Sequence, residues 1–199
     1  MGAKMKYARA ALAQFLETTT PQDEFLLLRF ANEPTIACGF TPNTREIERA
    51  LASTTATGAT ALWDAIYLGM HEMKHARHAR RALLVLSDGG DNDSRYTLRQ
   101  IRLLARESDV RIFTICVLDS SRALAGIAEE SGGRYYRVRH LGELPQVAQK
   151  IGTDLHSQYV LGYTPPDSRA DGRYRKIKVK VARPALRASW RHGYYAPGL

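Results

Sequence analysis

From Lys4 to Leu16 the apolar positions Met5, Ala8, Leu12 and Phe15–Leu16 recur at helical spacing. "FLLLRFA" and "TIACGFT" then read as two strands joined by the turn "NEP", a hairpin. A helix around Arg45–Ala52 leads into a flexible polar loop, "STTATGAT". "TALWDAIYLGMHEMKHA" predicts an amphipathic helix, "RALLVLSD" a strand and "YTLRQIRLLARES" a helix. "VRIFTICVL" is the next strand, followed by a helix over Arg122–Glu130. A Gly-led strand, "SGGRYYRV", and a long helix, "GELPQVAQKIGTDLHSQ", complete the alternation.

Apolar strands alternating with helices predict an α/β fold, a doubly wound and mostly parallel sheet covered on both faces. In such sheets ligands bind beyond the carboxyl ends of the strands. Asp88 lies at that end of "ALLVLSD". So does the start of the helix opened by "TGAT", with Thr60 as its candidate cap. After Gln158 the helices stop. "YVLGYTPP", "YRKIKVKV" and "SWRHGYY" are strand-like pieces that predict an antiparallel β appendage, which divides the chain into residues 1–158 and 159–199.

Composition narrows this picture only a little. A chain of 199 residues holds one sizeable domain, which buries roughly 70% of its unfolded surface without disulfide staples. Cys38 and Cys116 both lie in strand-like apolar stretches and read as small core residues. The net charge of +9 gathers near the C-terminus, where Lys and Arg alternate with Ile and Val. That is the pattern of a half-exposed strand with a basic face. No recognition motif accompanies the charge, so nucleic acid is not the expected partner. No run approaches the ~20 apolar residues of a membrane span. "MGAKMKYARAALAQFL" reads poorly as a signal peptide, and Lys6 stands where a myristoylation start wants Ser or Thr. The chain reads as soluble as written. Its compartment is left open, exported if a leader lies upstream.

Two stretches carry candidate chemistry. In "LLVLSDGGDNDSR" an apolar strand stops at Asp88 in a cluster of carboxylates beside two glycines. Asp91 and Asp93 take the reading of a solvated acidic turn whose side chains bond local backbone amides. The second stretch, His71-Glu72-Met73-Lys74-His75, matches the zinc-protease helix motif. At ~100° per residue, Leu62, Ile66, Gly69, Met70, Met73 and Arg77 share one side, and His71, His75 and His78 fall opposite. The three histidines therefore read as a solvated face. There is no Gly-x-Ser-x-Gly and no phosphate-binding Gly-Lys-Ser/Thr loop, and the chain reads as a non-enzyme.

The order "TGATALWDAI", "RALLVLSDGGDNDS", "VRIFTICV", "AEESGGRYYRV" resembles the von Willebrand factor A domain. The ending "QYVLGYTPPDSRADGRYRKIKVKVARP" closing on "RHGYYAPG" is similar to its bacterial branch labelled von Willebrand factor A-related Acidobacterial. The resemblance covers nearly the whole chain. It implies a Rossmann-like domain with a metal-ion-dependent adhesion site, in which three loops hold Mg²⁺ or Mn²⁺: Asp-x-Ser-x-Ser after the first strand, a Thr before a helix, and an Asp after a later strand. Thr60 matches the second loop and Asp88 the third. Asp64 has two readings, favouring the positive end of its helix or leaning toward the metal as an outer ligand. A hard cation takes about six oxygens, and one left open accepts a carboxylate from a protein partner.

One departure stands out. Met1 falls where the residue just after the first metal loop belongs, and no Asp-x-Ser-x-Ser occurs in the chain. The resemblance therefore implies that residues 1–199 lack the first strand, which is central in the family sheet, and the site is incomplete here, the expected reading being a truncated chain and the alternative a natural degenerate member without metal. Several lost side chains at ~1.5–3 kcal/mol each approach the ~5–15 kcal/mol that holds a domain together, so poor folding of residues 1–199 is expected. The leading expectation is a non-enzymatic, metal-dependent protein-binding domain. The alternative is a metal-independent assembly module that binds through its C-terminal strands, where Tyr159, Tyr163, Tyr174, Tyr194 and Tyr195 concentrate.

Overall fold

The computed structural model describes residues 2–54, 59–159, 161–166, 169–183 and 188–198. The chain starts with helix α1 (Gly2–Leu16), followed by an antiparallel hairpin of β1 (Phe25–Phe30) and β2 (Pro34–Thr41). Then come α2 (Thr44–Ala52), α3 (Leu62–Glu72), β3 (Arg81–Ser87), α4 (Leu98–Glu107) and β4 (Val110–Val117). α5 (Arg122–Glu130), β5 (Tyr135–Val138) and α6 (Leu144–His156) close the alternating part.

β3, β4 and β5 form a parallel sheet in that order. β4 is central, and from Ile112 to Val117 it is buried throughout, which explains why "VRIFTICV" is apolar without alternation. One face packs α3, α4 and α5 through Leu62, Ile66, Ile101, Leu124 and Ile127. The other packs α1 and α6 through Ala11, Leu144, Ala148 and Ile151. Helix starts follow local capping chemistry. The Asn43 side chain accepts from Arg45 N–H, Thr97 and Gln100 cap α4 reciprocally, and the Ser121 side chain accepts from Leu124 N–H.

The structure departs from the sequence expectation in three places. The sheet is not continuous: β1–β2 is a separate two-stranded unit, with no ladder joining it to β3. α3 ends at Glu72, and Met73–His75 tightens into a 3₁₀ turn, so the expected helix to Ala76 is cut short. Of the three strand-like C-terminal pieces, two form short strands, β6 (Tyr174–Lys176) and β7 (Gly193–Tyr195), which pair antiparallel. Residues 161–166 form no strand, and Tyr159 and Leu161 are 89% and 81% exposed. The loop expected over residues 53–60 is no departure: its middle, 55–58, lies outside the described residues.

The appendage is seated at the amino end of the parallel sheet. Arg191 Nη1 donates to Asp109 Oδ1 at 2.5 Å and its Nη2 to Arg106 O at 2.9 Å, just before β4 begins. Gly132, before β5, has φ +77°, and a Cβ there would meet Arg191 N at 2.6 Å. Only glycine allows that approach. Lys176, Lys178 and Lys180 are exposed while Ile177 and Val179 are half-buried, so the basic alternation does mark a one-sided extended segment.

Candidate functional site at the carboxyl rim

β3 ends in buried Ser87, and Asp88 steps out into solvent. Gly89 then turns the chain at φ +91°, and a Cβ on it would come within 3.0 Å of Cys116 Sγ on β4. A side chain has no room there, which accounts for the first of the two glycines beside the carboxylates. Ser87 Oγ accepts from Gly89 N–H at 3.1 Å and stiffens the turn.

The rest of the acidic loop reaches across to α3. Asp91 Oδ1 accepts from Leu62 N–H at 2.9 Å and Trp63 N–H at 3.2 Å. Ser94 Oγ accepts from Trp63 N–H at 2.9 Å and Asp64 N–H at 3.2 Å, and it donates to Asp91 Oδ1 at 2.5 Å. Asn92 brackets Thr60, its Oδ1 accepting from Thr60 N–H at 2.7 Å and its own N–H donating to Thr60 O at 3.0 Å. Asp64 reciprocates, its Oδ1 accepting from Arg95 N–H and Tyr96 N–H, both at 2.9 Å.

This arrangement corrects two expectations. Thr60 is not the cap of α3. The N-cap is Ala61, which has no capping side chain, and the amides of the first turn are satisfied from a loop some 30 residues away. Asp91 is not a solvated turn carboxylate with local bonds. It is half-buried and places its negative charge at the positive end of a buried helix. Asp93 is exposed. Sequence reasoning missed this capping role because the partners are distant in the chain.

Thr60 and Asp88, the two residues matched to metal loops, line one open cleft of about 520 Å³ together with Asn92, Leu118 and Asp119. Asp119 is a residue that sequence reasoning did not single out. It stands two residues past β4, whereas Asp88 directly follows β3, and a carboxylate just beyond a strand end was the signal available. Both carboxylates act on the Cys116 thiol beneath them. Burial first, and then the charges of Asp119 and Asp88, hold the thiol above its ordinary range, while the Tyr135 hydroxyl works the other way. Leu118, at φ +65° and 53% exposed, sits in a backbone conformation unfavourable for its side chain. Asp88 Oδ2 is 3.4 Å from Lys4 Nζ on α1, with both side chains about half exposed.

The other candidate, around HEMKH, does not assemble. His71 and His75 are exposed, with ring centroids 6.1 Å apart edge-to-face, and α3 ends between them. Among the described residues no group of three or more His, Cys, Asp or Glu side chains is placed to hold a metal ion. Cys38 and Cys116 are both free thiols, the first half-buried and the second buried. Among the described residues no helix is long and apolar enough to cross a membrane.

A doubly wound α/β layer with its candidate cleft at the carboxyl ends of the strands defines the class, and the family follows from sequence. The family model described as "von Willebrand factor type A domain" matches residues 1–150, and the chain belongs to that family. Such domains commonly mediate protein interactions, are generally non-enzymatic, and can carry a metal-ion-dependent adhesion site. A curated "UPF0353 protein" of Mycolicibacterium paratuberculosis is 26% identical over 190 residues, covering 80% of this chain and 57% of its own. The chain thus spans a little over half the length of that relative. Among solved structures, "von Willebrand factor type A from Catenulispora acidiphila" superposes with a TM-score of 0.73 at 15% identity, covering 98% of this chain and 51% of that one. Proximal thread matrix protein 1 from the mussel byssus, "with zinc occupied MIDAS motif", superposes at 0.61 and 19% identity over 77% and 40% of the two chains.

Proposed function

We propose that this chain is a non-enzymatic protein-binding module whose recognition surface is the carboxyl-end rim. The observation that carries the proposal is the convergence of Thr60, Asp88 and Asp119 on one cleft. A hydroxyl and two carboxylates are hard oxygen donors, the chemistry that Mg²⁺ or Mn²⁺ requires. Thr60 and Asp88 would hold the ion, with Asp119 on the wall of the same cleft and water filling other positions. When bound, the cation supplies an electrophilic position that a carboxylate of a protein ligand can take. The chain's own residues set the frame: Asn92 fixes the Thr60 backbone, Gly89 aims Asp88 outward, and Leu118 offers an apolar contact beside the charges.

The donor set is thin for an octahedral ion, which fits the expectation of an incomplete site. Asp64 spends one carboxylate oxygen on the Arg95–Tyr96 turn, so any outer role falls to the other oxygen. Lys4 is a built-in competitor for Asp88. The test is thermal melting of the chain with and without millimolar Mg²⁺ or Mn²⁺. A rise in Tm that Asp88→Ala abolishes and Lys4→Gln enlarges supports the proposal; a Tm indifferent to both ions sinks it.

A second reading has its own observation. Tyr159, Leu161 and Tyr163 present an apolar strip, 89%, 81% and 57% exposed, on the chain leading to the appendage. On that reading partner capture needs no ion and is lost on replacing the three by Ser, with Asp88→Ala silent.

A further inference from the structure

The C-terminal appendage carries most of the protein's net charge. Residues 159–199 hold nine Lys and Arg against two Asp, so seven of the nine net positive charges lie there. Several of the arginines are spent within the fold. Arg173 and Arg175 pair with Asp171 at 3.8 and 2.9 Å, and Arg191 pairs with Asp109. Lys176, Lys178 and Lys180 are exposed instead, and none of them has an ion pair among the described residues. They alternate along an extended run, so their ammonium groups form one row at a spacing of about 6.6 Å. Ile177 and Val179 turn to the other side and are half-buried. The run is anchored where it leaves β6: Ile177 N–H donates to His192 O at 2.8 Å, and Trp190 Nε1–H donates to Ile177 O at 3.2 Å.

Exposed apolar side chains share this appendage. Besides Tyr159, Leu161 and Tyr163, they include Val181 and Tyr195. Tyr163 is tied to the β6–β7 hairpin, because a hydrogen bond to the Tyr194 hydroxyl holds its phenol above the ordinary value. Tyr195 meets Tyr174 edge-on at 5.1 Å between ring centroids. The chemistry of this surface selects among polyanions. Lysine is a compact point charge, suited to a diffuse anionic surface, whereas bidentate recognition of one phosphate or carboxylate calls for arginine. Protein interfaces are depleted in Lys. Nucleic-acid bases stack on flat rings, which Leu161 and Val181 do not offer. A bilayer with anionic headgroups accepts every element: ammonium groups beside its phosphates, Tyr at the interface and aliphatic side chains just below.

We propose that the C-terminal appendage is a peripheral membrane contact that seats this protein on bilayers containing anionic lipid. Lys176, Lys178 and Lys180 meet the headgroup phosphates, and Leu161, Tyr163 and Val181 enter the interface beside them. The appendage is fixed to the amino end of the parallel sheet by Arg191 against Asp109, Arg106 and Gly132. Docking there leaves the cleft of Thr60, Asp88 and Asp119, at the opposite end of the strands, facing away from the lipid. The contact stands on the appendage alone and is independent of any ion at the rim.

Vesicle flotation with the full chain tests this, comparing phosphatidylcholine alone with an equal mixture of phosphatidylcholine and phosphatidylglycerol. Binding to the mixed vesicles only is expected. Raising salt from about 0.1 M to about 1 M, which shortens the Debye length from about 10 Å to about 3 Å, should release most of the protein. Replacing Lys176, Lys178 and Lys180 by Glu should weaken binding by about a hundredfold or more. Replacing Lys6, Lys74 and Lys150 by Glu removes the same charge from exposed positions elsewhere and should leave most of the binding in place. Equal loss in the two triple variants, the signature of an unfolded basic chain, would overturn the proposal. So would equal binding to phosphatidylcholine alone, or binding to neither vesicle. Tighter binding, at matched charge, to a single-stranded oligonucleotide or to polyglutamate would assign the lysine row to nucleic acid or to an acidic polypeptide and reject the membrane. The lipid, salt and competitor arms use the unaltered protein, so a variant that fails to fold cannot mimic them.

Discussion

The two ends of the parallel sheet are finished in opposite ways. At the amino end a separate stretch of chain is laid over the sheet and locked by backbone proximity: Arg191 and Trp190 press on Gly132, and Arg191 bonds Asp109 and the Arg106 carbonyl. At the carboxyl end no such stretch is laid over the strands among the described residues. Instead the loop after β3 ties itself to α3 and leaves Asp88, Leu118 and Asp119 around an open cleft. One end is closed by steric fit, the other is braced by hydrogen bonds and left accessible. The difference teaches where substitution costs stability and where it costs recognition.

The largest effect should come from breaking the closed end. A Cβ on Gly133 would lie 2.1 Å from the Ile112 carbonyl oxygen on the buried central strand. Gly133→Ala is expected to cost about 4 kcal/mol or more, read as a lowered denaturation midpoint with early exposure of Trp190 fluorescence. Retention of the wild-type midpoint would show that the seat is loose.

Next is the brace at the open end. Asp91→Ala removes the acceptor of two first-turn amides of α3 and is expected to cost about 2 kcal/mol, whereas Asp93→Ala should stay within about 0.5 kcal/mol. Equal effects in urea titrations would mean that the loop is an ordinary acidic turn.

The smallest effect sharpens the comparison by pH. Burial pushes the Glu130 carboxyl up, but bonds and charge from Arg102 and Arg106 overcome it and hold the group below its ordinary value. A depressed folded pKa means that the stabilisation is complete above the ordinary carboxylate range and is lost as pH falls through the folded value. Glu130→Gln is expected to cost about 1–2 kcal/mol at neutral pH and to flatten the acid limb of the stability curve. An unchanged acid limb would show that the α4–α5 ion group contributes nothing.

Much of the architecture was legible from residues alone. The boundaries of α5 and the order of β3, α4, β4, α5, β5 and α6 follow from periodicity, because burial on one or both faces writes itself into spacing. Asp88 could be placed at the strand end for the same reason. What could not be read was which loop each carboxylate serves. Asp91, Asp93 and Asp64 are alike in type and neighbourhood. One caps a helix 29 residues back, one is exposed, and one holds the turn at Arg95 and Tyr96.

The end of α3 and the fate of the C-terminal strands show the same boundary. HEMKH keeps helical spacing, but no residue of the turn Met73–His75 is buried, and propensity alone does not sustain a last α-helical turn. "YRKIKVKV" alternates correctly, yet among the described residues only its first three pair with another strand. The sequence by itself determined the alternation of elements, the apolar strands, the exposed basic stripe and the von Willebrand factor A likeness, since each is a property of neighbours in the chain. Tertiary structure alone decided that Asp119 joins Thr60 and Asp88 at one cleft, that Asp91 serves α3, and that Arg191 seats the appendage against Gly132. Those are contacts between segments tens of residues apart, set by how the layers pack, and no local pattern encodes them.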